Sequence, residues 1–439
     1  MKFGRAQWVP VGLLFLLAVT LQAQEITGDW QGLLEGKFRV VLKVTKNADG
    51  KLQGNFYRID QSPHSIPVTT LSFVSPALKL TIEALDASYE GALRTDGKMI
   101  TGTLTSGKPT PLVLYHATPE TAWKVYSSPH TIQMVSVEQG ISLEVLDWGG
   151  RGRPLVLLTG LGDTAHIFDE FAPKLTASYH VYGITRRGRG ASSAPEPNAT
   201  NYTASRLGED VLAVIDALHL NKPVIAGHSI AGEELSYIGS HHPEKVAGLI
   251  YMEAAYPYAL YDQTNGELEL DAIELRKQLR QFIEGSELQP VEDYDNLIAN
   301  LQRVEKEVKE KQQDTRNLSP TPVSSRMTPD LFAIMKGRER FITIRAPALV
   351  IMGDQDNPRP APGDDPKSRA DAVRQALMIR DKKQQVSAFE QQVPSAHVVM
   401  IPNATHYIFQ SNEADVLREI YTFIATLDSF HASEPRVGP

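Results

Sequence analysis

The chain has 439 residues, a length that suits two or three domains, with 42% hydrophobic and 22% charged residues. That composition excludes wholesale disorder, and 31 glycines and 28 prolines are too few for a collagen-like or low-complexity chain. A net charge of −8 provides no basic footprint for nucleic acid, and the absence of cysteine excludes disulfides, thiolate catalysis, iron–sulfur clusters and cysteine-based zinc sites. Any nucleophile must therefore be Ser, Thr, Asp, Glu, Lys, His or Tyr.

Residues 1–23 read as a signal peptide. Lys2 and Arg5 supply the positive start, the apolar run extends from Val11 to Leu21, and the small Ala23 offers a cleavage position. Such a run reaches about 16 Å as a helix, short of the roughly 30 Å hydrocarbon core. The expectation is an exported protein, periplasmic or secreted, with no stable membrane span after cleavage.

Residues 25–117 carry turn signals at short intervals and little helical periodicity. Phe38 to Val44 reads as a strand, Asn47-Ala48-Asp49-Gly50-Lys51 as a hairpin turn, and Leu52 to Ile59 as the return strand. Segments 66–74, 77–84, 87–94, 99–105 and 110–116 continue the pattern, with Asp96-Gly97 marking another hairpin. The expected unit is a small all-β barrel or sandwich filled by Trp30, Phe38, Phe56 and Tyr89. It carries no cluster resembling a catalytic site. Residues 118–130, containing Pro119 and Pro129, read as a linker.

From residue 131 to 428 the pattern becomes alternating strands and helices. Pro154 to Thr159, Tyr179 to Ile184, Pro223 to Ala226, Val246 to Met252, Pro347 to Met352 and Ala396 to Ile401 are short apolar runs, as strands buried on both faces should be. Helical spacing appears over 202–218, 233–241 and 413–427. This grammar predicts an α/β fold, a doubly wound, mostly parallel sheet. Residues 258–345 interrupt it and read as a helical cap insertion, with Leu297, Leu301, Val304 and Val308 forming an apolar stripe. A smaller insertion near 357–395 carries another helix, and residues 429–439 read as a C-terminal tail.

The strand 223–226 runs into Gly227-His228-Ser229-Ile230-Ala231-Gly232 and then a helix. Strand, small residue, Ser, small residue, helix is a turn so tight that the serine must adopt a strained backbone, which aims its hydroxyl out of the sheet. Two further polar groups lie just past buried strands: Gly353-Asp354-Gln355-Asp356 and Asn403-Ala404-Thr405-His406. Ser, acid and His thus follow strand ends in that order, where one rim would collect them.

These residues resemble the α/β-hydrolase superfamily, and the resemblance covers about residues 131–428. Thr159-Gly160-Leu161-Gly162 resembles the family's oxyanion loop, with Thr where His is usual. Arg187-Gly188-Arg189-Gly190-Ala191-Ser192 resembles part of a second family segment, which usually has Asp at the position of Thr185. Ala231 stands where the elbow usually has a second Gly. The resemblance implies a serine hydrolase with Ser229 as nucleophile, His406 as base, and the backbone N–H groups of Leu161 and Ile230 as the oxyanion hole, without metal or cofactor. The acid has three candidates. Asp356 fits the family's spacing after the strand; Asp354 is a turn residue in that reading, and Glu253, ending the strand 246–252, is the position some members use. His228 reads as structural, Arg187 and Arg189 as loop braces, and Tyr256, Tyr258 and Tyr261 as candidates for either pocket or core.

The implied partner is a small-molecule ester or amide. The leading function is an exported carboxylic ester hydrolase. A peptidase or amidase of the same fold is the alternative, disfavoured by the absence of the His-Gly-Gly-Pro-Gly loop of proline-iminopeptidase-like members. A dehalogenase or epoxide hydrolase would need Asp at position 229; haem-free haloperoxidase-like and C–C-cleaving activities stay open. A noncatalytic ligand-binding protein is the rival from another class. Every proposed catalytic atom lies between Leu161 and His406, so residues 25–117 are expected to be dispensable for the chemistry.

Overall fold

The computed structural model describes residues 25–34, 38–47, 49–59, 65–123, 130–198, 200–284, 290–316, 328–354 and 366–432. The signal segment 1–23, the acid candidate Asp356 and residues 433–439 lie outside them.

The first sheet is antiparallel throughout. Its strands are β1 (Gly28–Leu34), β2 (Phe38–Lys46), β3 (Leu52–Arg58), β4 (Ile66–Pro67), β5 (Thr70–Val74), β6 (Ala77–Ile82), β7 (Ala87–Leu93), β8 (Met99–Ser106) and β9 (Lys108–His116), in the order β4-β3-β2-β1-β9-β8-β7-β6-β5. Alternation along the strands turns Val40, Leu42 and Val44 inward onto Trp30, Phe56, Tyr89 and Ile100. The polar ends of the large aromatics are satisfied inside: Trp30 Nε1 donates to the Ile26 carbonyl at 2.8 Å and the Tyr89 hydroxyl to the Leu112 carbonyl at 3.1 Å. Strand β1 is missing from the sequence reading because its glycines break the apolar alternation. The structure requires one of them: a Cβ on Gly32 would sit 2.1 Å from the Val113 carbonyl oxygen. Phe38 is the exception among the expected interior aromatics. It lies outside the interior cluster and faces Tyr407 of the second sheet's loops, with ring centroids 5.6 Å apart.

The second sheet comprises β10 (Thr131–Glu138), β11 (Ile141–Gly149), β12 (Pro154–Leu158), β13 (His180–Ile184), β14 (Val224–His228), β15 (Gly248–Met252), β16 (Ala348–Asp354) and β17 (Ala396–Pro402), in the order β10-β11-β13-β12-β14-β15-β16-β17. Strands β12 to β17 are parallel and β10 and β11 are antiparallel. The helices are α1 (Ala204–Ala217), α2 (Gly232–His241), α3 (Leu268–Glu284), α4 (Val291–Thr315), α5 (Pro329–Lys336), α6 (Pro366–Gln392), α7 (Ile408–Ser411) and α8 (Glu413–Ala432). On one face Val211, Val214 and Ile215 of α1 and Leu235 and Ile238 of α2 pack on the sheet. On the other, Val416, Ile420, Phe423 and Leu427 of α8 do so at helical spacing. Each fully buried side chain of this kind contributes about 1.5–3 kcal/mol. The parallel register leaves the loops after β12, β14, β15 and β17 together at one edge.

Helices α3, α4 and α5 lie between β15 and β16, where the sequence interrupts its alternation. The stripe on α4 is only partly covered: Leu301 and Val308 remain 45% and 49% exposed. Helix α4 packs against α3, and that neighbour is too narrow to bury the stripe. No described helix is long and apolar enough to cross a membrane.

A buried ionic cluster ties the segment before β10 to the second sheet. His130 Nδ1 lies 2.9 Å from Asp169 Oδ1, His166 Nδ1 lies 3.2 Å from Asp169 Oδ2, and Trp148 Nε1 donates to the same carboxylate at 3.2 Å. The other ring nitrogen of His166 faces Glu144 at 3.7 Å. Burial opposes protonation of His166, but the hydrogen bonds and charges of Asp169 and Glu144 prevail and raise it to about 9. The imidazolium then balances two buried carboxylates. Because the folded value lies above the ordinary one of about 6.5, its contribution is complete below that pH and is lost as pH rises through about 9. The midpoint of urea unfolding should therefore fall between pH 7 and 9.5, and His166→Gln should lower the midpoint at pH 7 and flatten this dependence.

Candidate active site

The site begins at the end of β14. Ser229 has φ = +54°, the left-handed region that a side chain with a Cβ rarely adopts, at a cost of about 1–3 kcal/mol. The turn is possible because its neighbours are small. A Cβ on Gly232 would lie 2.2 Å from the Ala254 carbonyl oxygen, and one on Gly227 would crowd Ala231 and Leu235 at 3.0 Å. The close approach that the sequence motif attributes to Gly227 and Ala231 therefore falls hardest on Gly232.

His406, in the loop after β17, places Nε2 2.9 Å from Ser229 Oγ. Its Nδ1 lies 3.5 Å from Glu253 Oε2. A carboxylate on that side fixes the proton on Nδ1 and leaves Nε2 free to accept from the serine hydroxyl. Glu253 follows β15 with φ = +48° and is buried. Its Oε1 accepts from the Gly353 N–H and from Lys382 Nζ at 2.6 Å, and its Oε2 from the Tyr256 hydroxyl at 3.2 Å. Burial alone would raise this carboxyl. The His406 hydrogen bond, the Lys382 charge and the Gly353 N–H outweigh it and hold Glu253 below the ordinary carboxylate value. Of the three acid candidates, Glu253 is thus brought to His406. Asp354 ends β16, and Asp356 lies outside the described residues.

His228 positions the histidine loop. Its Nε2 lies 2.8 Å from the His406 carbonyl oxygen, so that nitrogen carries the proton and donates. Full burial, then the nearby His406 charge, push His228 down to about 3 and keep it neutral. Leu161, in the loop after β12 expected to hold the oxyanion, packs on Ile230 in a cluster with Tyr202, Leu207 and the α5 residues Ala333 and Ile334. The cluster brings the loop after β12 beside the elbow, and α5 lies over both. Gly160 must be glycine there, since a Cβ would meet His228 Nδ1 at 2.8 Å.

The three tyrosines separate. The Tyr256 hydroxyl serves Glu253, the Tyr258 ring stacks on Tyr256 with centroids 5.5 Å apart, and the Tyr261 hydroxyl turns away to Asp271 at 2.7 Å. Arg187 braces the fold as expected, bidentate to Asp210 at 2.6 Å and 2.6 Å. Arg189 pairs with Asp330 and so joins its loop to α5. Among the described residues, the group that could hold a metal ion is the charge-balanced cluster of His130, His166 and Asp169, which includes neither Ser229 nor His406.

Sequence reading missed Lys382, which comes from α6 and lies next to another lysine in a stretch resembling a solvated helix face. It also missed Arg186. This guanidinium pairs with Glu234, with Nε–Oε1 at 2.7 Å, and donates to the carbonyls of Thr159 and Gly160 at 3.0 and 3.3 Å. It thereby clamps the oxyanion loop to α2. Both partners are buried. Arg186→Met should destabilise the fold by about 3–5 kcal/mol, because it strands a buried carboxylate, and Arg186→Met combined with Glu234→Met should recover most of that loss. Urea unfolding of the three proteins measures both effects.

Residues 153–361 match the model of the α/β hydrolase fold family. The chain is 22% identical over 281 residues to the 2-(acetamidomethylene)succinate hydrolase of Mesorhizobium japonicum, covering 63% of this chain and 89% of that protein. It is 31% identical over 134 residues to a non-heme chloroperoxidase of Streptomyces lividans, covering 30% of this chain and 48% of the relative. Over three such relatives the match spans 37% to 48% of their length. The crystal structure of E-2-(acetamidomethylene)succinate hydrolase superposes with a TM-score of 0.40 at 18% identity, covering 67% of this chain and 99% of that one. The family match, the eight-stranded order and the elbow agree: the chain has the α/β hydrolase fold and carries an additional antiparallel β-sheet ahead of it.

Proposed function

We propose that this chain is an exported serine hydrolase that cleaves a carboxylic ester through an acyl-enzyme. The observation that carries the reading is the 2.9 Å approach of His406 Nε2 to the hydroxyl of a serine held at φ = +54°. Ser229 attacks the carbonyl carbon while His406 takes its proton and then delivers that proton to the departing alcohol oxygen. A water molecule, deprotonated by His406, attacks the acyl-enzyme carbonyl and releases the acid and the serine. In this reading the backbone N–H groups of Ile230 and Leu161 receive the oxyanion, a role worth about 2.7–4 kcal/mol per donor.

We assign the acid to Glu253 in preference to Asp356. Support comes from its 3.5 Å approach to Nδ1 and from the donors that keep it ionised. An ionised carboxylate there stabilises the imidazolium formed at each transfer and fixes its tautomer. Lys382 holds the other carboxylate oxygen, which sets the direction of the one facing His406.

An ester is preferred to an amide because Thr159-Gly160-Leu161-Gly162 lacks the peptidase-type loop. Export rests on the pattern of residues 1–23. The noncatalytic reading is disfavoured by the strained serine, since a binding protein gains nothing from that strain. A chloroperoxidase among the relatives leaves a peroxide-dependent side reaction as a subsidiary reading.

Ser229→Ala should abolish hydrolysis of p-nitrophenyl esters and labelling by a fluorophosphonate probe while leaving the circular dichroism spectrum unchanged. Retained turnover by the pure, folded variant would overturn the assignment. Glu253→Gln should lower kcat by about 10²–10⁴, by analogy with loss of a triad acid, and Asp356→Asn by much less. The reverse order would return the acid to the loop after β16.

A further inference from the structure

The two sheets meet at the loops of the candidate site. Phe38 opens β2 and Arg58 closes β3, so both lie at one end of the same hairpin: Val40 pairs with Arg58, and the Ile59 N–H donates to the Arg39 carbonyl at 3.1 Å. At this end the hairpin turns outward. Phe38 meets Tyr407 edge to face, with centroids 5.6 Å apart and an interplanar angle of 86°. Its neighbour Arg39 pairs with Glu170 of the second domain at 2.6 Å.

Tyr407 directly follows His406. Its ring lies 5.0 Å from that of His228, and its hydroxyl donates to Asp163 Oδ2 at 3.3 Å. Asp163 closes the oxyanion loop: its N–H reaches the Gly160 carbonyl at 3.4 Å, and its own carbonyl accepts from the Thr159 hydroxyl at 3.4 Å. Asp163 is buried, and burial pushes its carboxyl up to about 6. The Tyr407 hydroxyl and then the Arg58 charge act in the opposite direction. One aromatic side chain thus touches the first sheet, the histidine loop and the oxyanion loop.

We propose that the N-terminal sheet is a working part of the active site: Phe38 is a positioning residue that holds Tyr407, and through it Asp163 and the loops carrying His406 and Leu161. The proposal rests on the assignment of Ser229 and His406 above. It replaces the expectation that residues 25–117 are dispensable for the chemistry. A hairpin pressed on Tyr407 restricts the ring and orients its hydroxyl toward Asp163. Phe38 itself need not touch the substrate.

The test uses the full chain with Phe38→Ala and Phe38→Leu, and Val74→Ser as the control, since Val74 is 78% exposed on β5. Two quantities are measured: amide hydrogen exchange in segments 159–164 and 403–407, and the rate of fluorophosphonate labelling. Phe38→Ala should speed exchange in both segments at least tenfold and slow labelling at least tenfold. Exchange in β8, β9 and β14 should stay at the wild-type level, and Val74→Ser should match wild type. Phe38→Leu keeps the apolar bulk, so it decides the matter if Phe38→Ala loosens the hairpin: it should still lose the ring contact and speed exchange. Wild-type exchange in both segments for Phe38→Leu would overturn the proposal. If the wild-type chain does not label but exchange changes as expected, the nucleophile assignment falls and the positioning role stands.

Discussion

The constraint on which the site depends is a serine in a left-handed backbone conformation between a buried strand and a helix. Ser229 can hold φ = +54° because β14 is locked on both sides by parallel neighbours and α2 is packed so closely that Gly232 meets the Ala254 carbonyl. The strain of about 1–3 kcal/mol is borne by that surrounding core. Release it, and the hydroxyl would no longer stand clear of the sheet edge where His406 meets it.

Around this point the protein uses buried charges as fasteners. Glu253 is held by Lys382, the Gly353 N–H and Tyr256; Arg186 binds Glu234 and two carbonyls of the oxyanion loop; Asp169 lies between His130 and His166. Each charge is out of water and would be costly alone, so each partner set is directional. The result is that loops contributed by β12, β14, β15 and β17 are fixed relative to one another. In the proposed reaction such preorganised dipoles need not reorganise as charge develops.

The first sheet has its own interior around Trp30 and Tyr89, and it also reaches Tyr407 and Glu170 of the second unit. An all-β unit with a closed core has no stability requirement to place an aromatic outside it. Phe38 becomes intelligible as the residue that the β2–β3 hairpin presents to the histidine loop.

Much of this was legible in the sequence, and the division has a physical basis. Tight turns and buried strands leave local signatures, because backbone sterics demand glycine or alanine at fixed offsets and burial on both faces demands continuous apolar runs. Ser229, its elbow, the strand order's ingredients and His406 were therefore readable one segment at a time. The acid was not. Glu253 follows β15 and Asp354 ends the adjacent β16, strands whose backbones run about 4.8 Å apart, so which carboxylate reaches His406 depends on loop path and side-chain length. Lys382 lies 129 positions from Glu253 and looks locally like a solvated charge. Phe38 shows the same limit: strand alternation says which way a side chain points, but only the packed tertiary structure determines what covers it, because that partner is 369 positions away in the chain and adjacent only in space.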